Sequence, residues 1–464
     1  MPDVRFAQAK VVAGRLRAAG ASECLLVGGF VRDHLMGIDS KDIDIEVYGL
    51  SYEQIIDILK PHCRIDVVGR SFGVVKVDNE IDISLPRRES KIGVGHKGFS
   101  VTADSTMTPR EAAARRDFTI NAIGMTFDGT ILDPFGGQRD IKRGVLRATS
   151  SAFGEDPLRV LRGMQFAARF GFEMETETIR LCRCMKDQFV HLPRERVWGE
   201  WFKWATRSKH PSRGLLLLEQ TGWSDHFPTL SRLRSTPQNP DWHPEGDVFI
   251  HTAHVCDAAA EIAERDRLDP SQRAVLLFAA LCHDFGKPAT TVRNERGQWV
   301  APQHAKRGVP LARAFLTEIG APGGLTAEVL PLVAEHMVHT THPSDSIPSQ
   351  RTVRRLAMRL APASIRQWSR TCESDASGRP PLPKRNPVVK WMEIAEELAV
   401  ENEKPQPILQ GCHLISRGFK PGPEIGRILN AAFEAQLDGE FDTIDGALRW
   451  VNDHDATGVS LNPI

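Results

Sequence analysis

Apolar and polar positions alternate in two different rhythms along this chain. In the first 147 residues short apolar runs alternate with brief helical pieces. Cys24 to Gly29 (CLLVGG) is an apolar run ending in a glycine pair, FVRDHLMG reads as a short helix stopped by Gly37, and DIDIEVYG (Asp42 to Gly49) alternates with period two. VVKV (Val74 to Val77), EIDISL (Glu80 to Leu85) and NAIGMTF followed by TILDPFGG supply further strand candidates. The first twenty residues read as an amphipathic helix. From about Ser151 the period lengthens to that of a helix, with Leu158, Leu161, Met164 and Ala168 on one face and Pro157 near the helix start. The expectation is a multidomain α/β head with a mixed sheet over 1–147, a helical neck and body over 148–235, an α-helical domain over 236–380 and a helical region over 381–464. Ser235 to Asp247, rich in Pro, Asn and Trp, reads as a linker, and Ser377 to Pro387 as a second loop.

Composition narrows the class. The 464 residues are 41% hydrophobic and 25% charged, an ordinary globular balance. Lys+Arg and Asp+Glu are 59 each, which excludes a uniformly basic protein but not local basic faces. One such stretch is 139–213, with 16 Lys/Arg against 9 Asp/Glu, and the glycine-rich 88–98 is another. Both suit an RNA backbone. The eight cysteines show no CxxC pair and are expected to be reduced. With no signal-peptide core and no long apolar run, a cytoplasmic setting without membrane contact is expected.

In a strand, side chains at i and i+2 share a face, so Asp42 and Asp44 point together while Ile43, Ile45 and Val47 point to the core. Paired carboxylates form a hard-oxygen site suited to Mg²⁺ and triphosphate oxygens. Upstream, Gly28 and Gly29 join a strand to a helix, where backbone N–H groups can approach phosphate, and Arg32 follows. Neither GxxxxGK[ST] nor GxGxxG occurs.

The string GG-x-VRD-x-L-x-G followed by DxD resembles the head signature of class II tRNA nucleotidyltransferases and bacterial poly(A) polymerases, of the DNA polymerase beta superfamily. RRDFTINAIG (Arg115 to Gly124), DPFGG (Asp133 to Gly137) and EDPLRVLRGMQFAARFGF (Glu155 to Phe172) are similar to later motifs of that family, in its order. The resemblance implies attack of an RNA 3′-hydroxyl on the α-phosphate of CTP or ATP, with Mg²⁺ held by Asp42 and Asp44 and Asp82 as third carboxylate. It also implies nucleotide contacts from Gly29, Arg32, Arg116 and Arg162, with Asp117 holding the loop or the ribose. Asp156 and Arg159 match the family's amino-acid template for cytosine and adenine. A carboxylate accepts from the exocyclic amine, and a guanidinium donates to the ring nitrogen or carbonyl. Gln165 stands where the family often has arginine, and TPREAAARRD lacks the acidic pair usual in its flexible loop.

A second set of ligand-type residues follows: His251 and His254 at a helix start, His283 and Asp284 closing an apolar helix, then His304, His336 and Asp375. A buried His-Asp doublet is costly unless paired or metal-bound. The series is similar to the HD phosphohydrolase superfamily, as fused behind the head in one bacterial form of the CCA-adding enzyme. The resemblance implies a divalent metal on His251, His283, Asp284 and Asp375, with His304 and His336 as additional ligands and His254 unmatched. The expected activity is addition of C, C and A to tRNA plus metal-dependent phosphohydrolysis. The alternatives are a poly(A) polymerase, a partial CC- or A-adding enzyme, or an RNA-binding hydrolase with an inactive head.

Overall fold

The computed structural model describes residues 4–40, 42–66, 74–78, 80–91, 99–104, 106–342 and 347–455. The chain separates into two compact units, Met1–His226 and Phe227–Ile464. The glycine-rich part of the basic 88–98 segment lies outside the described residues. Among the described residues no helix is long and apolar enough to cross a membrane, and the eight cysteines are free thiols.

The first unit opens with the helix Val4–Ala18 and the strand β1 (Glu23–Val27). Then come β2 (Ile43–Tyr48), β3 (Ile65–Asp66), β4 (Val74–Val77), β5 (Ile81–Ser84), β6 (Arg87–Lys91), β7 (Phe99–Ala103), β8 (Gly124–Met125) and β9 (Ile131–Leu132). Seven of them form one mixed sheet in the order β3-β4-β5-β2-β1-β8-β9. The period-two pattern decides which face is buried. Ile43, Ile45, Val47, Ile81 and Ile83 pack with Val12, Leu16, Ile55 and Leu59 from the helices Val4–Ala18 and Tyr52–Leu59. That apolar contact leaves the other face of β2 and β5 for polar side chains. β2 and β5 run parallel, with Asp44 paired to Asp82.

Beyond the sheet the unit is helical, as the change of period predicts. Leu158–Phe170 packs against Arg194–Arg207 and Pro211–Thr221, and Trp201, Trp204 and Trp223 are fully buried there. Each such ring hides roughly 150–250 Å² from water, so this neck has a core of its own.

In the second unit the helices Val248–Arg265, Pro270–Cys282, His304–Glu318, Gly323–Glu335 and Ile365–Ser377 pack around one another. A smaller apolar core, including Leu414, Ile428, Ala432 and Val451, organises the C-terminal helices. The segment read as a linker over Ser235 to Asp247 is built into this unit. Asp247 caps the helix Val248–Arg265 by accepting from Ile250 N at 2.9 Å, and its other oxygen accepts from Ser235 N at 2.8 Å.

Candidate active sites

The open face of the first unit's sheet gathers the three predicted carboxylates. Asp42 lies immediately before β2 and is exposed, Asp44 is half-buried, and strand register sets Asp82 beside Asp44. Burial, together with the charges of Asp82 and Asp42, pushes the Asp44 carboxyl up to about 6 against the pull of Arg116. Lys76, opposite Asp82 on β4, approaches it to 2.9 Å. Asp44 and Asp82 on parallel strands, with Asp42 just before β2, offer oxygens to a hard divalent cation, which would relieve the repulsion felt by the half-buried Asp44.

Gly28 has φ +67, and a Cβ there would lie 3.1 Å from Arg116 Nη1 and 3.4 Å from Asp44 Oδ2. Only glycine gives both this left-handed turn and room for the charged groups beside it. Arg116 in turn donates to Glu46 Oε1 at 3.1 Å, and Tyr48 Oη donates to Glu46 Oε2 at 2.5 Å. Gly29 is the second residue of the helix Gly28–Leu35, with a Cβ position 3.5 Å from Arg32 Nη2.

Arg32 is 4% exposed and its donors are committed. Nε donates to Asp33 Oδ1 at 2.8 Å and Nη1 to Asn121 Oδ1 at 2.6 Å, while Phe166 and Phe170 cover the guanidinium. Arg32 therefore stitches the helix Gly28–Leu35 to the neck. Asp117 is held by Arg162 Nε at 2.7 Å, Phe118 N at 2.8 Å and Asn121 Nδ2 at 2.9 Å. Burial opposes its charge, but Arg162 and these donors keep its carboxyl near 2.

Asp156 and Arg159 do not pair with each other. Asp156 accepts from Leu158 N and from Arg196 Nη2 at 2.7 Å, whereas Arg159 donates to the carbonyls of Ala152 at 2.8 Å and Arg115 at 2.6 Å. Arg115 itself reaches Glu155 at 2.6 Å. Residues 115–117 are thus laced to the start of the neck helix. Gln165 is buried, and its Nε2 has no acceptor among the described residues.

A second centre lies within the helical unit. His251, His283, Asp284, His304, His336 and Asp375 are all buried and form two clusters of ligand atoms. His251 Nε2 lies 3.3 Å from His283 Nε2 and 3.1 Å from Asp375 Oδ1, and His304 Nε2 lies 3.2 Å from His336 Nε2. Asp284 serves both clusters, with Oδ2 3.2 Å from His283 and Oδ1 3.3 Å from His304. His254 belongs to neither cluster.

The opposite ring nitrogens fix the tautomers. Nδ1 of His283, His304 and His336 faces the carbonyls of Ala280, Ala301 and Val333 at 2.7–2.8 Å, and His251 Nδ1 faces Glu245 Oε1 at 2.7 Å. These oxygens only accept, so Nδ1 carries a proton in each ring, and burial keeps His304 and His336 neutral with their Nε2 lone pairs presented. Burial, reinforced by His304 and His283, holds His336 neutral down to about 3. The facing lone pairs of His304 and His336, 3.2 Å apart, repel without a cation between them. Lys287 Nζ stands 2.7 Å from Asp284 Oδ2, yet neither Asp284 oxygen is aligned to accept a hydrogen bond. The donor set fits divalent metal.

Sequence reasoning did not single out Glu245, which sits in the supposed linker. It accepts from both His243 and His251, and these bonds hold its carboxyl near 2 in spite of burial. Lys287, Arg379 and Arg196 were likewise unassigned. Any signal for them lies only in their nearness in sequence to Asp284, Asp375 and the basic neck.

A mixed sheet carrying Asp42, Asp44 and Asp82 on neighbouring strand positions, followed by a helical neck and a His/Asp-lined bundle, defines a nucleotidyltransferase head joined to an HD-type domain. Residues 24–147 match the Poly A polymerase head domain family, 171–233 the family described as a probable RNA and SrmB-binding site of polymerase A, and 248–367 the HD domain family. The Multifunctional CCA protein of Nitrosococcus oceani is 36% identical over 370 residues, covering 78% of this chain and 86% of that protein. That of Aliivibrio salmonicida is 33% identical, with 86% and 94% covered. The chain belongs to the multifunctional CCA protein family. Its fold is that of the Bacillus stearothermophilus CCA-adding enzyme solved in complex with CTP, with a TM-score of 0.67, 21% identity and 98% of each chain covered. The Thermotoga maritima CCA-adding enzyme complexed with tRNA_CCA matches at a TM-score of 0.59 and 19% identity, with 96% of this chain and 94% of that one covered.

Proposed function

We propose that this chain adds C, C and A to the 3′ end of tRNA from CTP and ATP, and that its second unit hydrolyses phosphoesters with the help of metal. The pairing of Asp44 with Asp82 beside Asp42 carries the first part. In the transfer, the RNA 3′-oxygen bonds to the α-phosphorus, its proton leaves, and the bond to the β-phosphate oxygen breaks to release pyrophosphate. Asp42, Asp44 and Asp82 would hold Mg²⁺, which supplies charge stabilisation at the attacking and leaving oxygens. Gly28 and Gly29 leave backbone room for the phosphates, and Arg116 and Arg162 contribute positive charge toward the nucleotide.

Base choice rests with Asp156 and Arg159. Arg196 and Leu158 N brace Asp156, whose Oδ2 accepts, among the described residues, only from Arg196 Nη2 and so can also accept from the amine of cytosine or adenine. Arg159 supplies the donor side. Uracil and guanine present the opposite pattern, a carbonyl to Asp156, and are rejected.

At the second centre, His251, His283 and Asp375 would hold one divalent ion and His304 and His336 another, with Asp284 offering one oxygen to each. Bound metal there supplies an activated water and a Lewis acid. Water bonds to phosphorus and the ester P–O bond breaks, releasing the alcohol.

The test offers the purified chain three RNAs with CTP and ATP supplied separately: tRNA ending before CC, tRNA ending in CC, and an unrelated RNA. Two C additions followed by one A, confined to tRNA, support the reading. Long A tails on any RNA, or full activity in Asp42→Ala, overturn it.

A further inference from the structure

We infer that Arg379 is a catalytic residue of the second centre, binding the phosphoryl oxygen of the substrate that the metal ligands do not face. The inference rests on the phosphohydrolase reading of that centre.

Arg379 follows the helix Ile365–Ser377, past the single residue Gly378. A Cβ on Gly378 would fall 2.6 Å from Val255 N and 2.5 Å from Val255 Cγ2. The bare glycine therefore lets this turn lie directly on the helix that carries His251, one turn before Val255. Four residues after Asp375, the Arg379 guanidinium reaches back to it, with Nη2 2.6 Å from Oδ1. Its Nε–H is shut off from water and has no acceptor among the described residues.

The guanidinium lines a cavity of about 440 Å³ together with Asp284, Asp375, His304, Lys287 and Arg385. A buried donor without an acceptor costs free energy that a ligand oxygen recovers. The carboxylates that face Arg379 are Asp375, which takes its Nη2, Asp284, which lies 2.7 Å from Lys287 Nζ, and Glu245, which accepts from His251, so none of them accepts from Nε. The site thus sets the unpaired Arg379 Nε–H and the Lys287 ammonium on one side of the cavity and metal-ligating atoms on the other. A tetrahedral phosphoryl group satisfies both, because a guanidinium offers its N–H groups in a planar fork that matches phosphate oxygens. During hydrolysis negative charge grows on those oxygens, and a fixed, water-excluded donor stabilises that charge more than it stabilises the resting ester.

The test uses the full-length chain with Mn²⁺ and bis(p-nitrophenyl) phosphate, comparing wild type with Arg379→Gln and Arg379→Lys. Arg379→Gln is expected to lower kcat by about 10²–10³-fold, the loss seen when one charge-stabilising donor is removed. Arg379→Lys restores part of the rate, inhibition by inorganic phosphate weakens at least about tenfold in the Gln variant, and Mn²⁺ binding measured calorimetrically stays within about threefold. Hydrolysis by Arg379→Gln near the wild-type rate overturns the inference. So does a loss of Mn²⁺ affinity that accounts for the whole fall in rate, since Arg379 would then act only through Asp375. Absence of any Mn²⁺-dependent hydrolysis by the wild type overturns instead the reading on which it rests.

Discussion

Asp156 takes its cation from Arg196, forty positions along the chain, while Arg159, one helical turn away, is held by backbone carbonyls. The pair proposed to read the base is therefore braced from two sides rather than internally cancelled. Arg196→Ala leaves Asp156 free to rotate. We expect it to lower kcat/KM for CTP and ATP by about tenfold and to narrow discrimination against UTP and GTP, because a good polar pair is worth about 1–3 kcal/mol of selection. Asp156→Ala should cost more. Single-turnover addition with each of the four nucleotides measures both, and unchanged selectivity in Arg196→Ala sinks the assignment.

The raised Asp44 carboxyl makes the metal response depend on pH. Its proton is held up to about 6 in the folded chain against 3.8 ordinarily. The metal-free chain therefore gains stability from Asp44 below its ordinary value, and that gain is lost as pH rises through about 6. Mg²⁺ competes with this proton, so it should raise the melting temperature more at about pH 7.5 than at about pH 5. Asp44→Asn should erase the difference and lower tRNA extension by at least about 10³-fold. Scanning calorimetry with and without Mg²⁺ reads the first effect and primer extension the second.

Asp117 and Arg162 provide a stability test. Asp117 is 7% exposed and bonded by Arg162, Asn121 and Phe118 N. With its carboxyl held near 2, its contribution is present above the ordinary 3.8 and is lost as pH falls toward 2. Arg162→Ala leaves that carboxylate buried with two neutral donors and should destabilise the first unit by about 2–4 kcal/mol, read in urea denaturation. Arg162→Lys should recover part of this.

Gly286 tests how the second centre is assembled. A Cβ there would fall 2.1 Å from the His304 carbonyl oxygen, so backbone must move. Gly286→Ala is expected to cost about 1–3 kcal/mol and to push the helix carrying His304 away from Asp284. Phosphoester hydrolysis should fall by at least about tenfold while tRNA extension stays near wild type. Equal loss of both activities would contradict this picture.

Much of the head was legible in the sequence because a strand's two-residue repeat assigns faces directly. Asp42 and Asp44 could be placed opposite Ile43 and Ile45 without knowing any neighbouring strand. Asp82 needed the register between β2 and β5, and only the family resemblance supplied it. Partners across long sequence separations stayed hidden: nothing local says that Arg32 belongs to Asn121 and Phe166, or that Arg196 belongs to Asp156. Glu245 was concealed for a different reason. Its segment has the Pro, Gly and Asn content of a loop, and composition cannot distinguish a free linker from one whose carboxylate reaches a buried imidazole six residues on. The helices beyond residue 381 were legible as helices but not as a separate core, since short amphipathic pieces do not announce what they pack against.

The two candidate centres also differ in the elements of their donor sets, and this sorts ions. The head presents carboxylate oxygens alone, the preference of Mg²⁺, which dehydrates reluctantly and has little use for imidazole. The second centre offers four ring nitrogens from His251, His283, His304 and His336 beside two carboxylates, a set whose affinity climbs along the series from Mn²⁺ through Co²⁺ and Ni²⁺. On the proposed reading, one polypeptide would draw on two kinds of metal, one oxygen-bound and one held largely by imidazole. A chelator that strips imidazole-bound metal should then silence hydrolysis at a concentration that leaves nucleotide addition running in excess Mg²⁺.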